Sequence, residues 1–186
     1  MEVCRNVAEQ MSSYNQPWGI AGGWAVDLFV GRKTRGHEDI EIAVFRDDQH
    51  ILKNFLDGWT FEKVVSGELR PLGEEFLQLP IHELHAVHET SGKRLEILLN
   101  EVENGQWIFR REPSISFPQQ QLFKVTSEGI PYLHPAIVLL YKAKMSRQKD
   151  DADFFAVKDL LEKADRKFLQ KSLEVHVPGH RWIGEL

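Results

Sequence analysis

The spacing of apolar residues changes along the chain, and each change predicts a new structural element. At the N-terminus Val3, Val7, Met11 and Tyr14 recur at helical spacing, which predicts an amphipathic helix that ends before Pro17. The apolar side of this helix needs other elements to pack against, so the rest of the pattern decides the fold.

The clearest strand pattern lies between residues 39 and 44. Ile40, Ile42 and Val44 alternate with Asp39 and Glu41, the period of two that gives a strand one apolar and one polar face. This alternation predicts that the two carboxylates point to the same side.

The remaining patterns predict a mixture of short strands and helices. Strands are expected over 18–21, 59–65, 84–89, 94–99, 106–111 and 122–126, and helices over 24–30, closed by Gly31, and over 48–56. The strands over 84–89 and 94–99 form a hairpin joined by Thr90-Ser91-Gly92-Lys93, and residues 113–118 form a loop. From Pro135 almost to Pro178 the pattern is helical.

These elements predict an α+β fold, a small mixed β-sheet flanked by helices with a helical C-terminal third. We expect residues 1–130 to form the core and residues 131–186 to pack on it as part of one compact unit. A length of 186 residues suits a single domain.

Composition and charge narrow the class of protein. No apolar run approaches the ~18 residues that span a membrane, and the first residues lack a signal-peptide pattern. A single cysteine, Cys4, argues for a reducing compartment, so we expect a cytoplasmic protein. The net charge of −5 gives nucleic-acid binding no support, because phosphate backbones are bound by basic surfaces. A small-molecule partner fits better, and the oligomeric state stays open.

Asp39 and Glu41 are the first candidates for chemistry. Residues two apart on a strand lie ~6.5–7 Å apart on one face, and two carboxylates that close repel each other unless a cation lies between them. Mg²⁺ takes oxygen ligands, commonly one or two carboxylates together with substrate phosphates. Taken alone, the pair is more typical of a solvent-facing strand.

Two further features favour a site for a nucleotide and its metal. Gly22-Gly23 lies between a strand and the start of a helix, where backbone N–H groups suit a phosphate. A plain tight turn would look the same, and neither GxxxxGK[ST] nor GxGxxG occurs. Glu96 lies in the middle of a predicted strand, where it is either a base beside a metal or an exposed strand residue.

The stretch GGWAVDLFVGRKTRGHEDIEI (22–42) resembles a family signature. It is similar to the pattern G-G-W-A-x-D-x-x-x-G-R-x-T-R-x-H-x-D-I-(D/E)-(I/L) of the aminoglycoside nucleotidyltransferases, which belong to the DNA polymerase β-like nucleotidyltransferase superfamily. A weaker resemblance to small nucleotidyltransferases covers YLHPAIVLLYKAKMSRQKDDADF and the closing PGHRWIGEL.

The resemblance implies the nucleotidyltransferase fold, a small mixed sheet flanked by helices with the metal-binding carboxylates on adjacent strands. It also implies a reaction, the transfer of a nucleoside monophosphate from ATP or another NTP to an acceptor hydroxyl with release of pyrophosphate. It implies that Asp39 and Glu41 bind Mg²⁺, with two ions expected, and that Glu96 is the third metal-binding carboxylate or the base. It also implies that Gly22 and Gly23 bind the triphosphate. The acceptor would be a small hydroxylated molecule, such as an aminoglycoside-like antibiotic.

Other candidate nucleotide-binding residues lie near the glycines or in the basic segment before Asp150. They are Trp24, Arg35, His37, Lys142 and Lys149. The two lysines share a face only if one helix continues through both, with Asp150 and Asp153 orienting them. Local ion pairs at a solvated helix end would give the same pattern. We expect Asp27 to brace the motif rather than to bind metal.

The sequence departs from the family pattern at three places. Glu41 and Glu96 stand where drug-modifying members commonly have Asp, and Ala136 stands where relatives tend to have Glu after the proline. Each longer carboxylate adds a methylene, which metal binding tolerates.

The sequence also contains a histidine repeat, and two other functions are compatible with it. His82, His85 and His88 alternate faces on a strand, so we expect them not to converge and to be structural. One alternative function is that of a toxin-like nucleotidyltransferase that modifies RNA or protein, because the stretch KDDAD resembles a motif in those proteins. The other is a non-catalytic nucleotide-binding regulatory protein. Because all three acidic positions are filled, an active enzyme is favoured.

Overall fold

The computed structural model describes all residues from 1 to 186. The strands are β1 (Trp18–Ile20), β2 (Glu41–Phe45), β3 (Trp59–Val65), β4 (Glu68–Pro71), β5 (Glu83–His88), β6 (Arg94–Glu103), β7 (Gln106–Ile108), β8 (Ser116–Pro118), β9 (Phe123–Val125) and β10 (Pro131–Leu133). The helices are α1 (Glu2–Gln10), α2 (Gly22–Val30), α3 (Gln49–Phe55), α4 (Pro135–Ala143), α5 (Gln148–Val157) and α6 (Lys163–His176).

The strands form one mixed sheet in the order β4-β3-β5-β6-β2-β1-β10-β9, with β7 paired to β6 and β8 paired to β7. β2 and β6 are parallel, as are β1 and β10, and the other neighbours are antiparallel. The register sets Glu41 opposite Glu96 and Ile42 opposite Ile97. The alternation of β2 therefore continues across the sheet as a polar face and an apolar face.

The apolar face of the sheet and the C-terminal helices share one hydrophobic core. Ile42 and Ile97 from the sheet and Ile137 and Phe154 from the helices are all fully buried in it. Helix α2 is buried on nearly every side and packs against α4, α5 and β10, because its residues are almost all apolar. None of the helices combines the length and the apolar character that crossing a lipid bilayer requires.

The predicted strand around residues 39–44 is confirmed, but its start was misplaced. β2 begins at Glu41, and Asp39 lies in the preceding loop. The ladder between β2 and β6 reaches only as far as the carbonyl of Ile40, which accepts from the Glu96 N–H at 3.0 Å. The carbonyl of Asp39 accepts instead from the indole Nε1 of Trp24, at 3.1 Å, so this residue leaves the sheet.

The predicted helix over 24–30 begins two residues earlier, at Gly22. Gly31 ends it in the left-handed conformation (φ +80°), as predicted. The two glycines therefore form the first turn of α2 rather than a turn that precedes it. This difference matters because the first N–H groups of a helix have no partner within the helix.

Three strands were missed, and each was missed for a local reason. β8 and β10 have three residues each, too few for an alternation to show. β4 is exposed at every residue and pairs only with β3. β10 lies just after the expected boundary at residue 130, so the helical part of the chain begins at Pro135.

The helical C-terminal segment is broken twice rather than nearly continuous. Between α4 and α5 the backbone of Ser146 has φ +43°, and its hydroxyl donates to the carbonyl of Ala143 at 2.9 Å. α5 then starts afresh, because the Asp150 carboxylate accepts from the backbone N–H of Arg147 at 3.0 Å. A second break separates Val157 from Lys163.

Candidate active site

A cavity of about 400 Å³ lies between the start of α2, the polar face of the sheet, and helices α4 and α5. Nine of the ten site residues predicted from the sequence line it: Gly22, Gly23, Arg35, His37, Asp39, Glu41, Glu96, Lys142 and Lys149. The tenth, Trp24, lines an adjacent hollow that shares His37, Asp39 and Glu96 with the cavity.

The acidic side chains meet where β2 and β6 run side by side. Glu41 and Glu96 are register partners, and Asp39 lies just before β2 at the same end. Burial raises the pKa of Glu41, while the charge of Lys142 opposes this effect. Burial and then the charge of Glu41 raise the pKa of Glu96 to about 7. Burial is the largest cause of both shifts, and a cation bound beside the two carboxylates would oppose it.

Gly22 has no room for a side chain. Its φ is +59°, and a Cβ there would overlap the Glu41 carboxylate. A Cβ on Gly23 would lie 2.5 Å from Nη2 of Arg35 and would also meet the His37 ring. The glycines therefore allow the first turn of α2, which has no side-chain cap, to approach the Glu41 carboxylate and the side chains of Arg35 and His37. Uncapped N–H groups at a helix start are suited to bind phosphate.

Asp27 braces the loop between α2 and β2. It is fully buried and accepts from the Thr34 N–H at 2.9 Å and from Nε2 of His37 at 2.6 Å. The His37 ring also packs on Trp24, with ring centroids 4.4 Å apart. Burial lowers the pKa of His37, although Asp27 opposes the shift. Asp27 thus contacts Thr34 and His37 of the same motif rather than the metal-binding candidates Asp39, Glu41 and Glu96, as expected for a brace.

Asp153 connects the loop before β2 to the C-terminal helices. Its buried carboxylate accepts from Nη2 of Arg35 at 2.8 Å and lies 2.9 Å from Nζ of Lys142. Asp150 lies 3.3 Å from the same lysine nitrogen. Two carboxylates therefore hold Lys142 toward the cavity, as predicted. The unbroken helix that would place Lys142 and Lys149 on one face is wrong, because they belong to α4 and α5.

Lys149 lies exposed at the cavity rim. Its side chain forms no ion pair with Asp150 or Asp153, so the expected orientation by these carboxylates applies to Lys142 alone. The charge of Lys149 remains available at the side of the cavity nearest α5.

Sequence reasoning missed Glu83 and underrated His85. The three histidines do not converge, but His85 lies directly opposite Glu96 in the pairing of β5 with β6. Its Nε2 lies 2.9 Å from Glu83 and 3.9 Å from Glu96, and these three residues are close enough to share a metal ion. The spacing of Glu83 and His85, two apart on one strand, was the available signal, yet only the register brings them to Glu96.

Arg147, one of the basic residues noted in the segment before Asp150, also lines the cavity, and three further cavity residues were not foreseen, namely Arg110, Arg111 and Tyr141. Arg147 pairs with Asp150 at 2.9 Å. The other three form a separate group at the wall made by α4 and the turn after β7. Nothing in the local sequence pattern indicated that this turn reaches the cavity.

Solved structures with the same architecture are nucleotidyltransferases. The crystal structure of ANT(2″)-Ia in complex with adenylyl-2″-tobramycin matches with a TM-score of 0.60 at 14% identity, over 92% of this chain and 95% of that one. The lincomycin-bound lincosamide antibiotic adenylyltransferase LnuA matches with a TM-score of 0.58 at 18% identity, over 86% of this chain and 97% of that one. These matches confirm the predicted nucleotidyltransferase fold.

The sequence comparison identifies the family. Residues 3–123 match the profile of the aminoglycoside-2″-adenylyltransferases, and the chain belongs to this family. The 2″-aminoglycoside nucleotidyltransferases of Escherichia coli and Klebsiella pneumoniae are each 36% identical to it over 66 residues, which is 34% of this chain. The aligned region covers only 37% of the length of each of these relatives.

Proposed function

We propose that the protein transfers a nucleoside monophosphate from an NTP, with ATP as the expected donor, to a hydroxyl group of a small molecule and releases pyrophosphate. The observation that carries this proposal is the pairing of Glu41 with Glu96 beside the uncapped start of α2. Carboxylates for a metal and amides for phosphate thus line one cavity.

The donor set fits Mg²⁺. Asp39, Glu41 and Glu96 offer only oxygen ligands, as this hard cation prefers, and the raised pKa values of the two glutamates are those of carboxylates that a nearby dication would stabilise. These three residues would hold the metal, with two ions expected. When bound, Mg²⁺ would neutralise phosphate charge and orient the reacting oxygens.

The basic side chains of the cavity would bind the phosphates of the nucleotide. Arg35 and Lys142 are both held by Asp153, so their positions are set before a nucleotide enters. Lys149 supplies a further cation at the rim, and Gly22 and Gly23, the first two residues of α2, line the same cavity. Together these groups would bind a triphosphate and leave its α-phosphate near the carboxylates.

Glu96 is the proposed general base for the acceptor hydroxyl. A base must be ionised to accept a proton. The pKa of Glu96 is about 7 without metal, and a dication held beside it would lower this pKa and keep the carboxylate ionised at neutral pH. His85, held by Glu83 at 2.9 Å, lies on the side of Glu96 away from Glu41. Its ring limits the directions from which a hydroxyl could approach the carboxylate.

A small hydroxylated acceptor is supported by the family and by the fold relatives, whose structures contain adenylyl-2″-tobramycin or lincomycin. Antibiotic modification is therefore the first reaction to test. The net charge of −5 favours a small molecule over RNA, and the three filled acidic positions favour turnover over a purely regulatory role.

Transfer can be tested with ATP labelled at the α-phosphate. The protein would be incubated with Mg²⁺ and a panel of hydroxylated compounds that includes tobramycin and lincomycin. We expect labelled product and pyrophosphate with at least one compound, and a rate reduced roughly 100-fold or more in Glu96→Gln, the size expected for a lost base. Equal rates in the two proteins, or no transfer to any compound, would contradict the proposal.

A further inference from the structure

Two neighbouring arginines line the cavity without a carboxylate partner. Arg110 and Arg111 follow β7, and both are partly buried. Neither lies within 4 Å of an acidic side chain, and the one firm hydrogen bond of the pair runs from Nη1 of Arg111 to the backbone carbonyl of Tyr141, at 2.7 Å. Partly buried cations are usually paired, so these two groups stand out.

The other buried or oriented cations of the cavity are compensated. Arg35 pairs with Asp153, Lys142 with Asp150 and Asp153, and Arg147 with Asp150. Against this background Arg110 and Arg111 have no ion-pair partner, and Glu83 is the acidic side chain whose charge acts on Arg110 from a greater distance. Burial lowers the pKa of both guanidinium groups, and for Arg111 the neighbouring charge of Arg110 adds to the effect. An arginine nevertheless stays protonated in proteins, so the pair remains cationic.

The pair is held in place by an aromatic platform. The guanidinium carbons of Arg110 and Arg111 lie 5.5 and 5.1 Å from the centre of the Tyr141 ring, within the range of cation–π attraction. The Tyr141 ring packs in turn on Phe109 and Trp107, with centroids 4.9 and 6.0 Å apart. Preorganised guanidinium groups are well suited to recognise a carboxylate or a phosphate in two-point contact.

This group faces a different part of the cavity from the proposed triphosphate site. Tyr141 and Lys142 are consecutive on α4, and consecutive helical residues point about 100° apart. Lys142 turns to Asp150 and Asp153, whereas Tyr141 turns to the arginines. The apolar side chains of Leu98 and Val138 also line the cavity. The cations near Gly22 thus form one set and the arginines another.

We propose that Arg110, Arg111 and Tyr141 form the acceptor-selective end of the cavity and bind an anionic group, a carboxylate or a phosphate, carried by the hydroxylated acceptor. This inference rests on the proposed function. It also narrows the acceptor, because two guanidinium groups without an ion-pair partner favour a molecule that carries an anionic group, and the aromatic face that could attract an ammonium group is already covered by the arginines.

Four related sugars that carry different charged groups test whether the arginines bind an anion. Glucuronate and glucose 6-phosphate carry the two candidate anions, glucose is neutral, and glucosamine is cationic. Each would be titrated into ¹⁵N-labelled protein in the millimolar range while the Nε–Hε signals of Arg110 and Arg111, assigned with Arg110→Lys and Arg111→Lys, are followed. We expect both signals to shift with the anionic sugars only, and the stronger of the two responses identifies the preferred anion. Equal shifts with glucose or glucosamine, or no shift with either anionic sugar, would overturn the proposal.

Two variants separate the arginines' charge from general effects on the protein. An Arg110→Met/Arg111→Met double variant should bind the preferred anionic sugar about tenfold more weakly or worse, the loss expected for a charged hydrogen bond. Arg70→Met removes an exposed guanidinium on β4 that lies outside the cavity and should bind it unchanged. If both variants lost affinity equally, the assigned site would be wrong.

The same double variant distinguishes an acceptor site from a nucleotide site. Its affinity for ATP with Mg²⁺ should stay within about twofold of the unmodified protein, and a tenfold loss would assign the arginines to the nucleotide and overturn the proposal. An unmodified protein that binds anionic sugars but no ATP would contradict the proposed transfer reaction instead. The two failures therefore give different results.

Discussion

Glu41 and Glu96 face each other across the parallel strands β2 and β6, although 54 other residues separate them along the chain. The parallel pairing places both carboxylates on the polar face, next to the first turn of α2. Burial raises the pKa of both carboxyl groups, and the charge of Glu41 raises the pKa of Glu96 further. A fold with this arrangement stores electrostatic repulsion that a divalent cation would relieve.

Substitution of Gly22 should disturb this arrangement more than its backbone conformation alone would suggest. Gly22→Ala places a Cβ where the Glu41 carboxylate lies, at a φ of +59°. The left-handed conformation costs about 1–2 kcal/mol for alanine, and displacement of Glu41 should in addition weaken Mg²⁺-dependent ATP binding by roughly tenfold or more. Urea unfolding and calorimetry measure the two effects.

Gly105→Ala is the matched control, because Gly105 has φ +75° and no atom within 4 Å of an added Cβ. It should lose stability by a similar conformational amount and keep its ATP affinity. Equal ATP affinity in Gly22→Ala and Gly105→Ala would show that the close approach of Gly22 to Glu41 is unimportant for binding.

Neutralisation of Asp153 should cost both stability and nucleotide affinity. Asp153→Asn leaves Arg35 and Lys142, which are 20% and 12% exposed, without the carboxylate that they share. Loss of one partner of such a buried group costs about 3 kcal/mol or more. Both cations should then lose their fixed positions, so ATP should bind more weakly as well.

Glu128→Gln provides the comparison for Asp153→Asn, since it removes an ion pair with Arg5 whose side chains are 57% and 55% exposed. An exposed pair contributes at most about 1 kcal/mol. Urea unfolding that shows the same loss for both variants would contradict a central role for Asp153.

The contribution of Glu96 to the stability of the metal-free protein should fall as the pH rises toward neutrality. The pKa of Glu96 in the folded protein is about 7, above its ordinary value near 4.3, so the folded state retains this proton over a range in which the unfolded state has lost it. The associated stability is present below about pH 4 and is lost as the pH passes about 7. Because the pKa of buried His134 is lowered to about 4, its contribution to stability changes in the opposite direction. The Glu96 contribution is therefore measured as the difference in thermal unfolding between the unmodified protein and Glu96→Gln across this range.

Magnesium should reverse the trend, because it binds the ionised form of Glu96, and its affinity should rise through about pH 7. Glu96→Gln should reduce both the pH slope and the rise in Mg²⁺ affinity, whereas Glu103→Gln, at an exposed position of β6, should change neither. The account would be wrong if Glu96→Gln kept the full pH dependence of the unmodified protein.

Much of the site could be predicted because its main residues occupy one continuous motif. The glycines, Arg35, His37 and Asp39 lie within 18 residues of one another, and the alternation of β2 places Glu41 on the polar side. Short-range patterns of this kind depend on backbone geometry that is the same in every protein. The resemblance to a family supplied Glu96 and Lys142, which local pattern alone left ambiguous.

The residues and contacts that were missed depend on pairings between distant parts of the chain. His85 reaches Glu96 only through the register of β5 with β6, and Arg35 reaches Asp153 across 118 residues of sequence. Arg110 and Arg111 enter the cavity because the turn after β7 meets Tyr141 on α4. None of these meetings has a periodic signature, because tertiary packing and not local conformation brings the residues together.

The most direct test of the whole account is the binding of ATP with and without Mg²⁺, measured by calorimetry on the purified protein and on an Asp39→Asn/Glu41→Gln double variant. We predict binding that depends on Mg²⁺ in the unmodified protein and is lost in the variant, while both proteins unfold at similar temperatures. Failure of the unmodified protein to bind ATP or any other NTP, or equal Mg²⁺-dependent binding by the variant, would contradict the assignment of a nucleotide–metal site to this cavity.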